Sequence, residues 1–105
     1  MAAENSSTGF HFISRPGRSE KLVAEVEIVF GDDAGILSGM KLVGVCIWKS
    51  GTGHFFVTFP AKPGKSGRYF DYLRPAKPGN GTAKALKEAI LRQWVAMEAG
   101  EAPVA

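Results

Sequence analysis

The 105-residue chain contains one cysteine and no apolar run long enough to span a membrane. A single cysteine excludes an internal disulfide, which fits a reducing compartment. The densest apolar segment, residues 42–48, has only the length of a strand, whereas a membrane helix needs about 20 apolar residues. The N-terminal region lacks the hydrophobic core of a secretory signal. We therefore expect a cytoplasmic protein with no membrane partner.

The sequence also lacks recognisable catalytic and metal-binding patterns. It has no Ser/His/Asp or Cys/His spacing, no phosphate-binding loop and no carboxylate pair in a familiar setting. Cys46 has no catalytic partner nearby and is interpreted as a small buried hydrophobe. His54 has no second His or Cys at metal spacing, and Asp32-Asp33 offers too few oxygen ligands for a divalent cation, so turn chemistry explains it better. We predict a non-enzyme that needs no cofactor, metal or small-molecule substrate.

Positive charge is concentrated in one part of the chain. Residues 41–79 carry five lysines and two arginines against Asp71 alone, a net charge of +6. Residues 21–40 sum to −3, and the whole chain carries +3. A positive field of this kind attracts a polyanion such as nucleic acid. The alternative is that the lysines only solvate loops.

The pattern of apolar residues predicts an antiparallel sheet, because strand-length apolar segments alternate with turns rich in glycine and proline. The predicted strands are residues 10–13 at an edge, 22–30, 41–48, 54–59 and 68–74. The predicted turns are Pro16-Gly17, residues 31–35 and residues 50–53. A chain of this length forms one domain, which we place at residues 10–99 between a disordered tail at 1–9 and a flexible tail at 100–105.

Residues 41–48 are apolar on both faces of the predicted strand, as expected of a central strand covered by a helix or a second subunit. Alternation assigns one face to Val43, Val45 and Ile47, and the other to Leu42, Gly44, Cys46 and Trp48.

One helix is predicted near the C-terminus, with Thr82 as N-cap, a body from Ala83 to Ala99 and a stop at Gly100. One arc of this helix should pack on the sheet, and it comprises Ala83, Leu86, Ile90, Trp94 and Met97. Leu91 and Val95 point away from that arc and predict a dimer contact. The fold class is therefore α+β: an antiparallel sheet of four to five strands with one C-terminal helix, in the order β-β-β-β-(β)-α, in a dimer.

The pentapeptide Pro-Ala-Lys-Pro-Gly occurs twice, at residues 60–64 and 75–79, each time after a predicted strand. Strand termination explains the prolines and glycines, because proline cannot donate to a ladder and glycine accepts positive φ. Strand termination does not explain why the central residue of each copy is a lysine, Lys62 or Lys77. It also does not explain why Lys65, Arg68 and Arg74 lie close by.

Between the two copies, aromatic and basic residues alternate. Arg68, Phe70, Tyr72 and Arg74 fall on one face of the predicted strand, and Tyr69, Asp71 and Leu73 fall on the other. Arginines beside aromatic rings are what a surface that stacks bases and pairs with phosphates needs. The alternative is that these rings belong to the core, as aromatic residues on strands often do.

Taken together, residues 40–96 resemble the stage V sporulation protein G family of small bacterial regulators of septation and virulence. The shared pattern is an apolar strand (40–48), a short glycine turn (50–53), a strand that ends in an aromatic residue and proline (54–60), a basic loop (61–67), an aromatic strand followed by proline (68–75), and a helix that ends in an aromatic residue (82–94). The chain departs from the family at Ala61, where serine is usual, and in residues 71–75, where only Asp71 and Pro75 match.

The resemblance implies a homodimer that binds DNA, and in some cases RNA, in transcription regulation and without catalysis. Basic side chains of the helix and the adjoining loops are implicated in the family. By position these are Lys84, Lys87 and Arg92 on the helix, and Lys62, Lys65, Arg68, Arg74 and Lys77 in the loops.

Two hypotheses of different classes follow. The first is a dimeric nucleic-acid-binding regulator whose cations neutralise phosphates while Tyr69, Phe70 or Tyr72 stacks on an unpaired base. The second is a protein-interaction or scaffold module that uses the strip of Leu91 and Val95 together with an open sheet edge, its charge serving solubility. An enzyme ranks third.

Overall fold

The computed structural model describes residues 7–14 and 21–98. Its elements in chain order are strands β1 (Gly9–Ser14), β2 (Leu22–Val29), β3 (Lys41–Lys49), β4 (Phe55–Thr58), β5 (Ala61–Pro63) and β6 (Tyr69–Asp71), then helix α1 (Thr82–Glu98). Short 3-10 segments lie at Asp32–Leu37 and Lys65–Gly67. The predicted turn at Pro16-Gly17, the helix stop at Gly100 and the tails at 1–6 and 100–105 lie outside the described residues.

The strands form two antiparallel sheets. The larger has the order β1-β2-β3-β4, and the smaller pairs β5 with β6. With α1 after the strands, the α+β class and its element order are confirmed. β3 lies between β2 and β4, which confirms its inner position. A sheet of this kind needs cover on one face, because a half-buried antiparallel sheet directs alternate residues to the core.

Helix α1 provides that cover. Ile90 and Trp94 are buried in one cluster with strand residues such as Val26 and Ile47. The alternation in β2 is confirmed, since Ala24, Val26 and Ile28 are buried while the glutamates between them are partly exposed. The ring centroids of Trp94 and Phe12 are 5.7 Å apart, so the helix reaches the edge strand β1.

The predicted core position of Met97 is wrong, because its side chain is 40% exposed. The N-terminal half of α1 contacts the β4 side of the sheet, where Lys87 lies over the ring of Phe59. Trp94 already packs on Phe12 of edge strand β1 at the other side. Met97 is almost one helical turn further along, past the last strand.

A β-bulge in β3 moves residues at the start of the strand to the face opposite the one predicted for them. Val26 pairs with Val45, but Ile28 pairs with Leu42, so one residue of β2 opposes both Val43 and Gly44. Gly44 has a φ of 98°, a conformation that glycine adopts without a Cβ penalty. Leu42 therefore joins the core side and Val43 is 54% exposed, the opposite of the simple alternation.

Helix α1 packs on one face of the sheet. Of the two covers predicted for the second face of β3, a helix or a second subunit, the helix is therefore ruled out for α1. Cys46 and Trp48 are half-buried there, and Trp48 Nε1 donates to Thr58 Oγ1 at 2.7 Å. Cys46 is thus less buried than predicted. Desolvation, with a smaller contribution from the charge of Glu25, raises the pKa of its thiol, so the thiolate is disfavoured.

The paired aspartates serve the loop, as their sequence context predicted. The segment Asp32–Leu37 is a 3-10 helix, and Asp33 Oδ1 accepts hydrogen bonds from the Thr8 backbone N (2.9 Å) and Oγ1 (2.6 Å). These bonds lower the pKa of Asp33 and tie the start of β1 to the loop after β2. Within residues 7–14 and 21–98, no three His, Cys, Asp or Glu side chains gather into a metal site. None of the described helices is long and apolar enough to cross a membrane.

The start of α1 differs in detail from the prediction. Ala85 N donates to Gly81 O at 3.0 Å, so Gly81 rather than Thr82 occupies the N-cap position. The side-chain oxygen of Asn80 accepts from Thr82 N at 2.9 Å and supplies the cap. Asparagine next to glycine favours such a local turn, in which the cap comes from the residue before the N-cap position.

We expect Gly44→Ala to lower the free energy of unfolding by about 1–2 kcal/mol, because an L-residue is strained at positive φ. The new Cβ would also lie 3.1 Å from Pro60 Cβ. Urea unfolding measures the change. Gly51→Ala is the matched control, since its Cβ would meet no atom within 4 Å and its φ is not positive. An equal loss in both variants would contradict the role of the bulge.

Candidate nucleic-acid interface

The basic segment forms a hairpin outside the main sheet. Ala61 pairs with Asp71, Lys62 with Phe70 and Pro63 with Tyr69. Backbone hydrogen bonds extend the ladder at both ends, from Tyr72 N to Pro60 O (2.8 Å) and from Gly64 N to Arg68 O (2.6 Å). The 3-10 segment Lys65–Gly67 closes its tip.

The ladder sorts the hairpin side chains between two faces, because alternate residues of a strand point to opposite sides. Phe70 and its partner Lys62 share one face, and Arg68 and Tyr72, each two residues from Phe70, continue it. Tyr69 lies on the opposite face. The predicted shared face of Arg68, Phe70 and Tyr72 thus agrees with the register.

The strand itself is shorter than predicted and ends at Asp71 rather than at residue 74. Leu73 turns inward and packs against the core, while Tyr72 and Arg74 on either side of it are exposed. Leu73 is partly buried against the core, and a two-stranded ladder offers an apolar side chain no such burial. Arg74 consequently belongs to the following loop.

The two copies of Pro-Ala-Lys-Pro-Gly adopt different structures. Strand β4 ends at Thr58, just before the first copy, as strand termination predicts, but residues 61–63 of that copy then form strand β5 of the second sheet. Pro63 is tolerated there because a two-stranded sheet consists of edge strands. The second copy, residues 75–79, is irregular. The paired Lys62 and the loop residue Lys77 are both exposed.

Phe70 is held against the main chain at Gly64. A Cβ built on Gly64 would fall 2.2 Å from Phe70 Cε2, so only glycine leaves room for the ring. Gly64 has a φ of −110°, a conformation open to any residue. Glycine is therefore required at position 64 because of the space that the ring occupies, and not because of the backbone conformation. Strand termination, the role predicted for Gly64, does not include this contact, for which an aromatic residue across the hairpin is the available signal.

The loop after the hairpin forms an open cleft with a volume of about 550 Å³. Its lining residues are Tyr72, Arg74, Pro75, Ala76 and Pro78. A smaller apolar pocket of about 70 Å³ lies between this loop and the start of α1, lined in part by Pro75, Thr82 and Ala83. The loop is therefore in contact with the first turn of the helix. Neither proline was among the predicted site residues.

In residues 7–14 and 21–98, the loop and hairpin cations have no acidic partner. All five are exposed, and in the described part of the chain none forms an ion pair: Lys62, Lys65, Arg68, Arg74 and Lys77. Lys41, in contrast, lies 3.0 Å from Glu27 Oε1, which also lies 3.3 Å from His11 Nδ1. The hydrogen bond from Lys41 is the main cause of the lowered pKa of Glu27. The acidic segment thus neutralises Lys41 and leaves the hairpin charge unbalanced.

The helix cations divide into two groups. Lys87 is partly buried, with its Nζ 4.9 Å from the centroid of the Phe59 ring, which is a cation–π contact. Lys84 and Arg92 are exposed. Lys84 belongs to the first turn of α1, which is the turn that the loop contacts. Arg92 is eight residues later, about 12 Å along the helix axis. Within the described residues, no contact joins it to the cations of the hairpin and loop.

The predicted dimer strip is partly internal. Leu91 packs against the core, in contrast to the expectation that it points away, whereas Val95 is 53% exposed. Together with Glu88 and Arg92 they line a shallow groove of about 430 Å³. Glu88 and Arg92 stand one turn apart beside the apolar floor.

Comparison of the chain with models of protein families, with curated proteins and with solved structures gave no match.

We expect Lys87→Gln to lower the free energy of unfolding by about 0.5–1 kcal/mol through loss of the contact with Phe59. Lys84→Gln removes the same charge from an exposed position of the same helix, and should change stability by less than about 0.5 kcal/mol. Urea unfolding of both variants makes the comparison. Equal stability of the two would mean that Lys87 has no structural role.

Proposed function

We propose that the protein is a non-catalytic, nucleic-acid-binding regulator that acts as a homodimer. The observation that carries this proposal is the set of five exposed cations of the hairpin and loop that lack acidic partners in the described residues. Keeping like charges close together without counterions raises the free energy of the isolated protein, and a polyanion relieves this repulsion. The resemblance to the stage V sporulation protein G family points to the same class of ligand.

Phosphate groups are the proposed contacts of these cations. Lys62 and Arg68 lie on the hairpin, Arg74 and Lys77 follow in the loop, and the loop touches the first turn of the helix that carries Lys84. This order makes a continuous path for a backbone whose charges are regularly spaced. Lys87 contributes less, because its ammonium group is already engaged by Phe59.

Binding to a polynucleotide should weaken with salt, with a log–log slope of roughly −0.7 to −0.9 for each phosphate contacted. Combining Lys62→Glu with Lys77→Glu should reduce both the affinity and the slope. Fluorescence anisotropy of a labelled oligonucleotide over a salt series measures both. Affinity that does not depend on salt would refute the mechanism.

Lys49→Glu controls for net charge in comparison with Lys62→Glu alone. The hairpin begins at Pro60, which lies near Gly44 of β3. Lys49 is exposed and lies at the other end of β3, away from the hairpin. If Lys49→Glu weakened binding as much as Lys62→Glu, total charge rather than the hairpin would explain the affinity.

The groove of Glu88, Leu91, Arg92 and Val95 is the proposed dimer contact. In a twofold interface the same patch faces itself, so a groove that carries one acid and one base can pair Glu88 of each copy with Arg92 of the other. The apolar floor supplies the buried area, and a dimer brings two basic hairpins to one ligand. The second candidate, a scaffold module, would use this same groove for an unrelated protein.

We expect Val95→Glu to convert the dimer to a monomer, because it places a charge in the apolar floor of the contact and competes with Glu88 of the other copy for Arg92. Gln93→Glu adds the same charge at an exposed helix position outside the groove and should leave the dimer intact. Sedimentation equilibrium over a range of concentrations gives the association state. A wild-type protein that remains monomeric throughout would remove the dimer from the proposal.

A further inference from the structure

We infer that the ligand is single-stranded, and that two of its unpaired bases stack on Phe70 and Tyr72. This inference rests on the proposed function, since it specifies the form of nucleic acid that the hairpin binds. It also separates the three aromatic residues of the segment by role. Tyr69 lies on the opposite face and takes no part.

The two rings have a spacing that fits an extended strand. Phe70 and Tyr72 are two residues apart on one face of the hairpin, which corresponds to about 6.6 Å at a strand rise of about 3.3 Å per residue. Bases in a duplex strand are about 3.4 Å apart and cover each other's faces. A pair of rings this far apart can contact successive bases only where the strand is unstacked.

Phe70 has the properties of a fixed platform. One side of its ring rests on the Gly64 backbone, and 44% of the residue remains exposed to solvent. Because contact with Gly64 restricts the ring in the free protein, a base that stacks on it orders the side chain at a lower entropic cost. Lys62, directly across the ladder, and Arg68 place positive charge on the same face for the flanking phosphates.

Tyr72 forms the wall of the open cleft. The residue is 65% exposed, and the cleft beside it is lined by Arg74 and by the rings of Pro75 and Pro78. An aromatic ring beside apolar proline rings suits the face of a base, and the guanidinium group of Arg74 suits its phosphate. The main chain at Tyr72 is held by its backbone N–H, which donates to Pro60 O at 2.8 Å.

A duplex can pair its phosphates with the cations of this face, but it offers no free base to stack on Phe70 and Tyr72. The faces of paired bases are covered by neighbouring base pairs, and the phosphates alone are presented to a flat protein surface. Exposed rings gain from stacking only with a base that is free on one side, as in single-strand binding proteins. The arrangement therefore favours single strands over duplexes of equal length.

The test is anisotropy titration of a fluorescein-labelled oligothymidylate, an oligouridylate and a DNA duplex of equal length at one salt concentration. We expect both single strands to bind more tightly than the duplex. Phe70→Leu and Tyr72→Ala should each weaken single-strand binding by about 5- to 150-fold, the range for loss of one stacked base. The affinity for the duplex should change little.

Tyr69→Ala is the matched control, because Tyr69 is the most exposed of the three rings, at 72%, and lies on the other face. It should leave single-strand affinity unchanged. Gly64→Ala tests the platform without altering the ring itself: it should weaken single-strand binding, whereas Gly51→Ala should not. Circular dichroism and thermal unfolding of each variant establish that it folds.

The outcomes distinguish this inference from the proposal on which it rests. Salt-dependent binding of the duplex that equals or exceeds single-strand binding would overturn the stacking inference and leave the proposed function standing. So would an equal effect of Tyr69→Ala and Tyr72→Ala. Failure of all three probes to bind at low salt would overturn both.

Discussion

The packing of α1 across one face of the four-stranded sheet is the interaction on which the rest of the structure depends. Ile90 and Trp94 complete a core whose strand side consists of small and branched residues from β2, β3 and β4 together with Phe59. Burial of these side chains is the main favourable term in a domain of this size. Because one helix can cover only one face, the other face and the small hairpin are left to solvent, and these surfaces are where function can reside.

The hairpin owes its exposure to this division. It begins at Pro60, next to the bulge at Gly44, and returns at Leu73, which enters the core beside α1. Between these two anchors the chain contributes no residue to the buried cluster. Apart from the contact of Phe70 with Gly64, no packing contact accounts for the number of basic and aromatic residues found there.

Much of the fold could be predicted from the sequence, because β2 and α1 follow simple periodicities: alternate residues such as Val26 and Ile28 in the strand, and Ile90 and Trp94 in the helix. Alternation failed at Gly44, where a bulge that depends on the neighbouring strand shifts Leu42 to the core side. The cations of the site could be named from charge alone. The contact of Phe70 with Gly64 could not, since it depends on a register that only pairing of two strands creates.

The contact between Phe12 and Trp94 joins the first and the last described elements. During synthesis, β1 emerges from the ribosome long before α1, so its aromatic side chains stay exposed until the helix follows. Contacts between residues so distant in sequence also slow folding, because a long loop must close before they form. The apolar edge strand of the nascent chain is therefore unprotected until α1 has been made. We expect chaperones to bind this strand during that period.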